Sequence, residues 1–178
     1  MTLPLAAAVA GTGLADGALH HSVPPDVLGR FAPTAETAAT RPWLLLSAIV
    51  LTRDPKMLAV ACAGVVVLVG WAEHRVGWAR ALAAGIGGSL VATLVCDAVL
   101  LVGAGAGFAA ARQAAASADY GVSAVVAGAA GALACTLPPW PAVALTVAML
   151  NGLVVHHSLP DWEHVVAFAV GMVVMGPR

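Results

Sequence analysis

Charge is scarce in this 178-residue chain. Only 10% of residues are charged, eight Lys+Arg against nine Asp+Glu. Soluble domains carry roughly 25%, and so few charges cannot cover a globular surface of this size. An ordinary cytosolic protein is therefore excluded. Disorder is excluded as well, because it needs low hydrophobicity and high net charge. Here 61% of residues are hydrophobic and the formal net charge is −1. No basic patch stands out, so nucleic acid is not an expected partner. Aromatic residues are only 5%, and asparagine occurs once, at Asn151. The three cysteines, Cys62, Cys96 and Cys135, all lie inside apolar runs. Their odd number and spacing match no zinc motif, and they read as small buried hydrophobes.

Long apolar runs rich in Ala and Gly are what the chain does have. About 20 apolar residues cross a bilayer as a helix, with a range of roughly 17–25. Small residues let such helices approach closely in lipid. Charges, prolines and glycines as borders predict six spans, at about 3–21, 57–72, 81–105, 120–137, 141–157 and 163–176. A long polar first loop covers 22–56, and its stretch from Trp43 to Leu51 suits a helix lying at the interface. Residues 112–119 read as a polar connection. From Tyr120 to Pro160 there is no Lys, Arg, Asp or Glu, and Pro138, Pro139 and Pro141 divide that run in two. The first run lacks a basic leading segment and a clear cleavage site, so it reads as a membrane helix rather than a signal peptide. The expectation is an all-α polytopic membrane protein, a single six-helix domain over residues 1–178. Its partner is the lipid bilayer, and its location the cytoplasmic membrane.

Polar groups at membrane depth are expensive and are candidates for function. They are Asp16, Asp97, Ser123, Asn151, His156, His157 and His164. Ser123 follows Gly121 and Val122 at the expected start of the fourth span. Unpaired backbone N–H groups and the positive dipole end gather there, which suits a developing oxyanion. His164 stands at the mouth of the sixth span, where a neutral imidazole can take a proton from a serine hydroxyl. Gly171 lies seven residues on, along the same helix face, where a small residue permits close packing. Span parity puts the starts of spans four and six on one membrane side. Each residue alone also has a plain reading, a capping or packing serine and an interfacial histidine. Asp119 and Asp161 read as helix caps that could also hydrogen-bond near a Ser–His pair.

Taken together, these features resemble the rhomboid superfamily of intramembrane serine proteases, and more narrowly its compact actinobacterial members. Pro42-Trp43 and the segment to Leu51 resemble the membrane-dipping first loop. Glu73 to Gly77 resembles an E-x-x-x-G turn after span two. Gly121-Val122-Ser123 resembles the G-x-S motif, and His164 with Gly171 the pattern of the last helix. The resemblance implies that Ser123 is a nucleophile and His164 its base, with backbone at Gly121 and Val122 supporting the oxyanion. It implies transmembrane proteins as substrates or clients, and neither a metal nor an organic cofactor. The chain departs from the family at Met57 and Ala61, where a histidine and an asparagine of span two usually stand, and at Ala124 and Ala167.

Two other readings stay open. One is a rhomboid-like pseudoprotease that binds membrane helices without cutting them. The other is a small transporter or channel, in which Asp16 and Asp97 would be the working residues. Cation counts favour a cytoplasmic first loop. Arg30, Arg41, Arg53, Lys56 and Arg112 fall on its side, against Arg75, Arg80 and Arg178 on the other. The family resemblance implies the opposite orientation.

Overall fold

The computed structural model describes residues 1–156 and 159–176, and all regular secondary structure among them is helical. In chain order the elements are α1 (Thr2–Ala15), α2 (Pro25–Phe31), α3 (Ala35–Ala38) and α4 (Trp43–Ala48). They continue with α5 (Pro55–Val76), α6 (Trp78–Gly105), α7 (Ala109–Ala115) and α8 (Ser123–Ala134). The last two are α9 (Pro139–His156) and α10 (Leu159–Met175). Helices α5, of 22 residues, and α6, of 28, are long and apolar enough to cross a bilayer. Each contains one π-helical turn, Val65–Val69 in α5 and Ala83–Gly87 in α6.

Several helix ends differ from the sequence-based expectation, each for a local reason. Helix α1 stops at Ala15 rather than near residue 21, because Gly17 turns the chain at φ +76°. Glu73 and its neighbours lie inside α5 rather than in a turn. The break comes only at Gly77, whose φ of +86° is open to glycine without strain. Pro160 to Glu163, expected as a loop, form the start of α10. Proline is tolerated in a first turn, where its missing N–H has no intrahelical partner. Pro139 and Pro141 begin α9 in the same way. The loop at 22–56 holds three short helices, and the segment before α5 is capped by Asp54, whose Oδ1 accepts from Met57 N at 2.8 Å. That bond, with the neighbouring Arg53, holds the Asp54 carboxyl below the usual carboxylate range.

The chain forms two compact units. The first comprises residues 1–3, 64–93 and 123–178. Its centre is α8, where every residue from Ala124 to Ala134 except Val126 is buried. The segment is made of Ala, Gly, Val and Leu alone, so neighbouring backbones reach it directly. At the edge of this unit the Glu73 carboxylate binds the start of α1. It accepts from the Met1 ammonium at 2.6 Å, from Thr2 N at 2.8 Å and from Thr2 Oγ1 at 2.6 Å. An anion there also meets the positive end of the helix dipole. Thr2→Val removes one of these bonds and keeps the side-chain shape. The expected loss is about 1 kcal/mol, since the carboxylate is partly exposed. A melting point lower by about 2–4 °C in detergent would show it, and an unchanged one would show that the hydroxyl bond contributes nothing.

The second unit comprises residues 4–63 and 94–122. Gly13 of α1 faces Leu58 of α5 and Thr52 with no room for a Cβ, and the Thr12 hydroxyl donates to the Val50 carbonyl at 2.6 Å. Helices α2 and α4 are tied by Ser47 Oγ donating to Phe31 O at 2.6 Å. The only tyrosine of the chain, Tyr120, packs against two buried clusters of this unit. One is Ala18, Val23 and Leu28, and the other Ala32, Ala48 and Leu51.

Candidate active site

The site rests on how α8 and α10 meet in the first unit. Gly171 of α10 lies against the Gly128 carbonyl of α8, and a Cβ on it would also come within 3.1 Å of Ala132 N. Gly131 of α8 lies against the Phe168 carbonyl in the same way. Cys135 Sγ donates to Met172 O at 3.8 Å. From 131/168 through 132/171 to 135/172 the partner numbers rise together, so α8 and α10 run in the same direction. The pairs 131/168, 135/172, 132/171 and 128/171 are separated by 37, 37, 39 and 43 positions. His164 follows Ser123 by 41 positions, inside that range. Continued back along both helices, that register would put the first residue of α8 near the level of the second turn of α10.

The third wall of the site is the start of α6. Gly128 sits against the Ala84 carbonyl, and Gly85 places Val125 within 3.0 Å of its own Cβ position. Ala92, Ala124, Ala127 and Ala167 then form one buried cluster with Met149 and Val166 packed on it. Methyl-sized side chains from three helices meet there, which is how an all-small interface lets helices pack closely.

Ser123 is the first residue of α8 and its side chain is exposed, while His164 is half-buried in the second turn of α10. Among the described residues no hydrogen bond joins Ser123 Oγ to the imidazole. Catalytic hydrogen bonds are often long in a substrate-free form and tighten on binding. His164 is not at the mouth of its helix, as expected from sequence, but one turn inside it. Asp161 and Glu163 precede it and are both buried. Asp161 lies in the first turn of α10, where its charge suits the helix dipole.

The residues before Ser123 belong to the second unit and are tied down there. Asp119 N donates to Pro33 O at 2.9 Å, and Gly121 N donates to Ala48 O at 2.9 Å. Val122 is buried. These ties explain why α8 begins at Ser123 and not at Tyr120. The Gly121 N–H is already used by Ala48, so it is not available to an oxyanion. The donors left for that role are the first-turn N–H groups of α8 itself. Met57 and Ala61 add no side-chain donor. Met57 Sδ accepts from Arg53 N at 3.4 Å, and Ala61 is buried.

The remaining polar candidates lie apart in kind. Asp97 is buried on α6 and shares a helix face with Ser89 and Thr93, at spacings of four. Asp16 is half-buried just beyond α1, and Asn151 is exposed on α9. His156 ends α9, and His157 lies outside the described residues. No group of three or more potential metal ligands occurs among the described residues. No family model, no curated protein and no solved structure matches this chain.

Proposed function

We propose that this chain is a six-span, rhomboid-like intramembrane serine protease of the cytoplasmic membrane, with Ser123 as nucleophile and His164 as general base. Membrane embedding is supported by what the helices leave uncovered. Val60 and Val66 on α5, Val99 and Val102 on α6, Val147 and Val154 on α9 and Val173 on α10 are all exposed, Val102 by 73% and Val173 by 77%. Apolar area of that extent on nearly every long helix needs lipid to cover it. All five tryptophans, Trp43, Trp71, Trp78, Trp140 and Trp162, are exposed and stand near helix ends, where aromatic belts meet headgroups. The spans of this reading are α1, α5, α6, α8, α9 and α10. Helix α8 covers only about 18 Å at 1.5 Å per residue, but it is wrapped by protein rather than by lipid.

The observation that carries the catalytic reading is the shared register of α8 and α10. In the reaction, Ser123 Oγ attacks a scissile carbonyl in a transmembrane substrate as His164 takes its proton. The tetrahedral oxyanion is met by the first-turn N–H groups of α8. His164 then returns the proton to the leaving amine, and water attacking the acyl-enzyme, with His164 again as base, regenerates the serine. Neither a metal nor an organic cofactor takes part.

One observation favours a second reading, a pseudoprotease that holds membrane helices as clients. The Gly121 N–H is consumed, and positions 57 and 61 supply no donor. Losing one oxyanion donor typically costs about 10²–10³ in rate. Fluorophosphonate labelling in detergent separates the two. The protease reading expects labelled wild-type protein and no label on Ser123→Ala. Folded wild-type protein that stays unlabelled would end that reading and favour the pseudoprotease.

A further inference from the structure

We propose that the outward face of α9 pairs with the same face of a second copy of this chain, with the two Asn151 amides bonded to each other across a two-fold axis. The proposal rests on the reading of α9 as a membrane span and does not depend on the Ser–His chemistry.

Helix α9 lies wholly within the first unit, and its two faces differ. Leu145 and Met149 pack against Ala130, Ala134 and Phe168, so this side is the one turned to α8 and α10. On the opposite side Trp140, Ala144, Val147, Asn151 and Val154 are all exposed. The steps between them are 4, 3, 4 and 3 residues. That alternation keeps the five side chains in one stripe, the seam along which a helix meets another helix over its whole length. In heptad terms Ala144 and Asn151 take a positions, and Val147 and Val154 take d positions.

Lipid can cover the valines of this stripe but not Asn151. The residue lies about 18 Å along the helix from Pro139 and about 8 Å before His156. Among the described residues no hydrogen bond reaches its amide. That group carries two N–H donors and an acceptor oxygen, and hydrocarbon satisfies none of them. A second copy supplies the matching group. Copies inserted by the same signals share one orientation in the membrane, so a two-fold axis along its normal sets Asn151 opposite Asn151 at one depth. Each amide then donates to the oxygen of the other. A different helix would need its own polar group at that level of the seam. A single asparagine at an a position also fixes register and the number of strands.

The test uses full-length protein in membranes. Val147→Cys and Val154→Cys are each oxidised with copper phenanthroline and run without reductant. Leu145→Cys, on the inward side, and the unsubstituted protein with its three native cysteines give the background. Disulfide-linked dimers are expected from the first two alone, because the bond needs Cβ atoms about 4 Å apart. Energy transfer between labelled copies in lipid vesicles then measures self-association. Asn151→Leu is expected to weaken it by about five- to thirtyfold, while Asn151→Gln keeps the amide and is expected to retain most of it. Self-association unchanged in Asn151→Leu would overturn the proposal. A membrane-impermeant maleimide separates the two possible failures. If Val147→Cys gives no dimer and does not react with it, the face is covered by lipid or by this chain itself; the proposal falls and the span reading stands. If Val147→Cys gives no dimer and reacts freely, the face is in water, and the span reading of α9 falls together with the proposal.

Discussion

Gly171→Ala is expected to lower the unfolding free energy by about 3 kcal/mol or more, at or beyond the upper end of ordinary overpacking. The new methyl would be driven into the Gly128 carbonyl and would lie 3.1 Å from Ala132 N. Both obstacles are backbone inside α8, which is buried on nearly every side. No side chain can rotate away, so α10 must move off α8 as a whole. Gly131→Ala meets the same difficulty from the other helix, against the Phe168 carbonyl. The control is Gly11→Ala in α1, where nothing lies within 4 Å. That change is expected to be neutral or to stabilise by about 0.5–1 kcal/mol, through helix propensity alone. Denaturant unfolding in detergent, followed by tryptophan fluorescence, compares the three. A Gly171→Ala protein as stable as Gly11→Ala would mean that α8 and α10 are not in backbone contact. The register argument for Ser123 and His164 would then fall with it.

His164→Ala is expected to slow fluorophosphonate labelling of Ser123 by about 10²–10⁴-fold, the usual contribution of a positioned general base. The hydroxyl of Ser123 is exposed, so access does not limit the reaction. What remains without the imidazole is a serine at a helix start, favoured only by nearby N–H groups. His74→Ala is the matched control. His74 is exposed near the end of α5, and the rate is expected to be unchanged. Equal loss in both variants would point to general damage in detergent rather than to a base. No loss in His164→Ala would remove the imidazole from the mechanism, whatever the register.

The helix boundary at the candidate site was legible in part. Ser123 beside Gly121 reads in sequence as lying in the first turn of a helix, and the structure begins α8 at Ser123. The reason for that boundary was not legible. It depends on carbonyls of Pro33 and Ala48, more than seventy positions away, and no local propensity contains them. The start of α10 differs from its sequence reading for the opposite reason. Pro160, Asp161 and Glu163 look like a loop in sequence, yet proline and acids are well suited to a first helical turn. His164 therefore moved from a helix mouth to a position one turn inside. In sequence Gly121 reads as a place where backbone can approach a neighbouring group. Its N–H proved to be committed elsewhere, and hydrogen-bond partners of that kind are known only when the chain is folded.

Composition by itself pointed to an apolar, all-helical chain. With so few charges and so many apolar residues, an all-helical chain follows, because helices pair every backbone group internally, and α5 and α6 are long and apolar enough to cross a bilayer. The glycines at 128, 131 and 171 were visible too, as places where helices are able to touch. Which helices touch, in which direction and in what register was decided only by the tertiary structure. Small-residue surfaces are nearly featureless, and many registers satisfy a stripe of Ala and Gly equally well in one dimension. Only the simultaneous fit of α8 against both α10 and the start of α6 selects one, because a shift along either contact would drive methyl groups into backbone carbonyls.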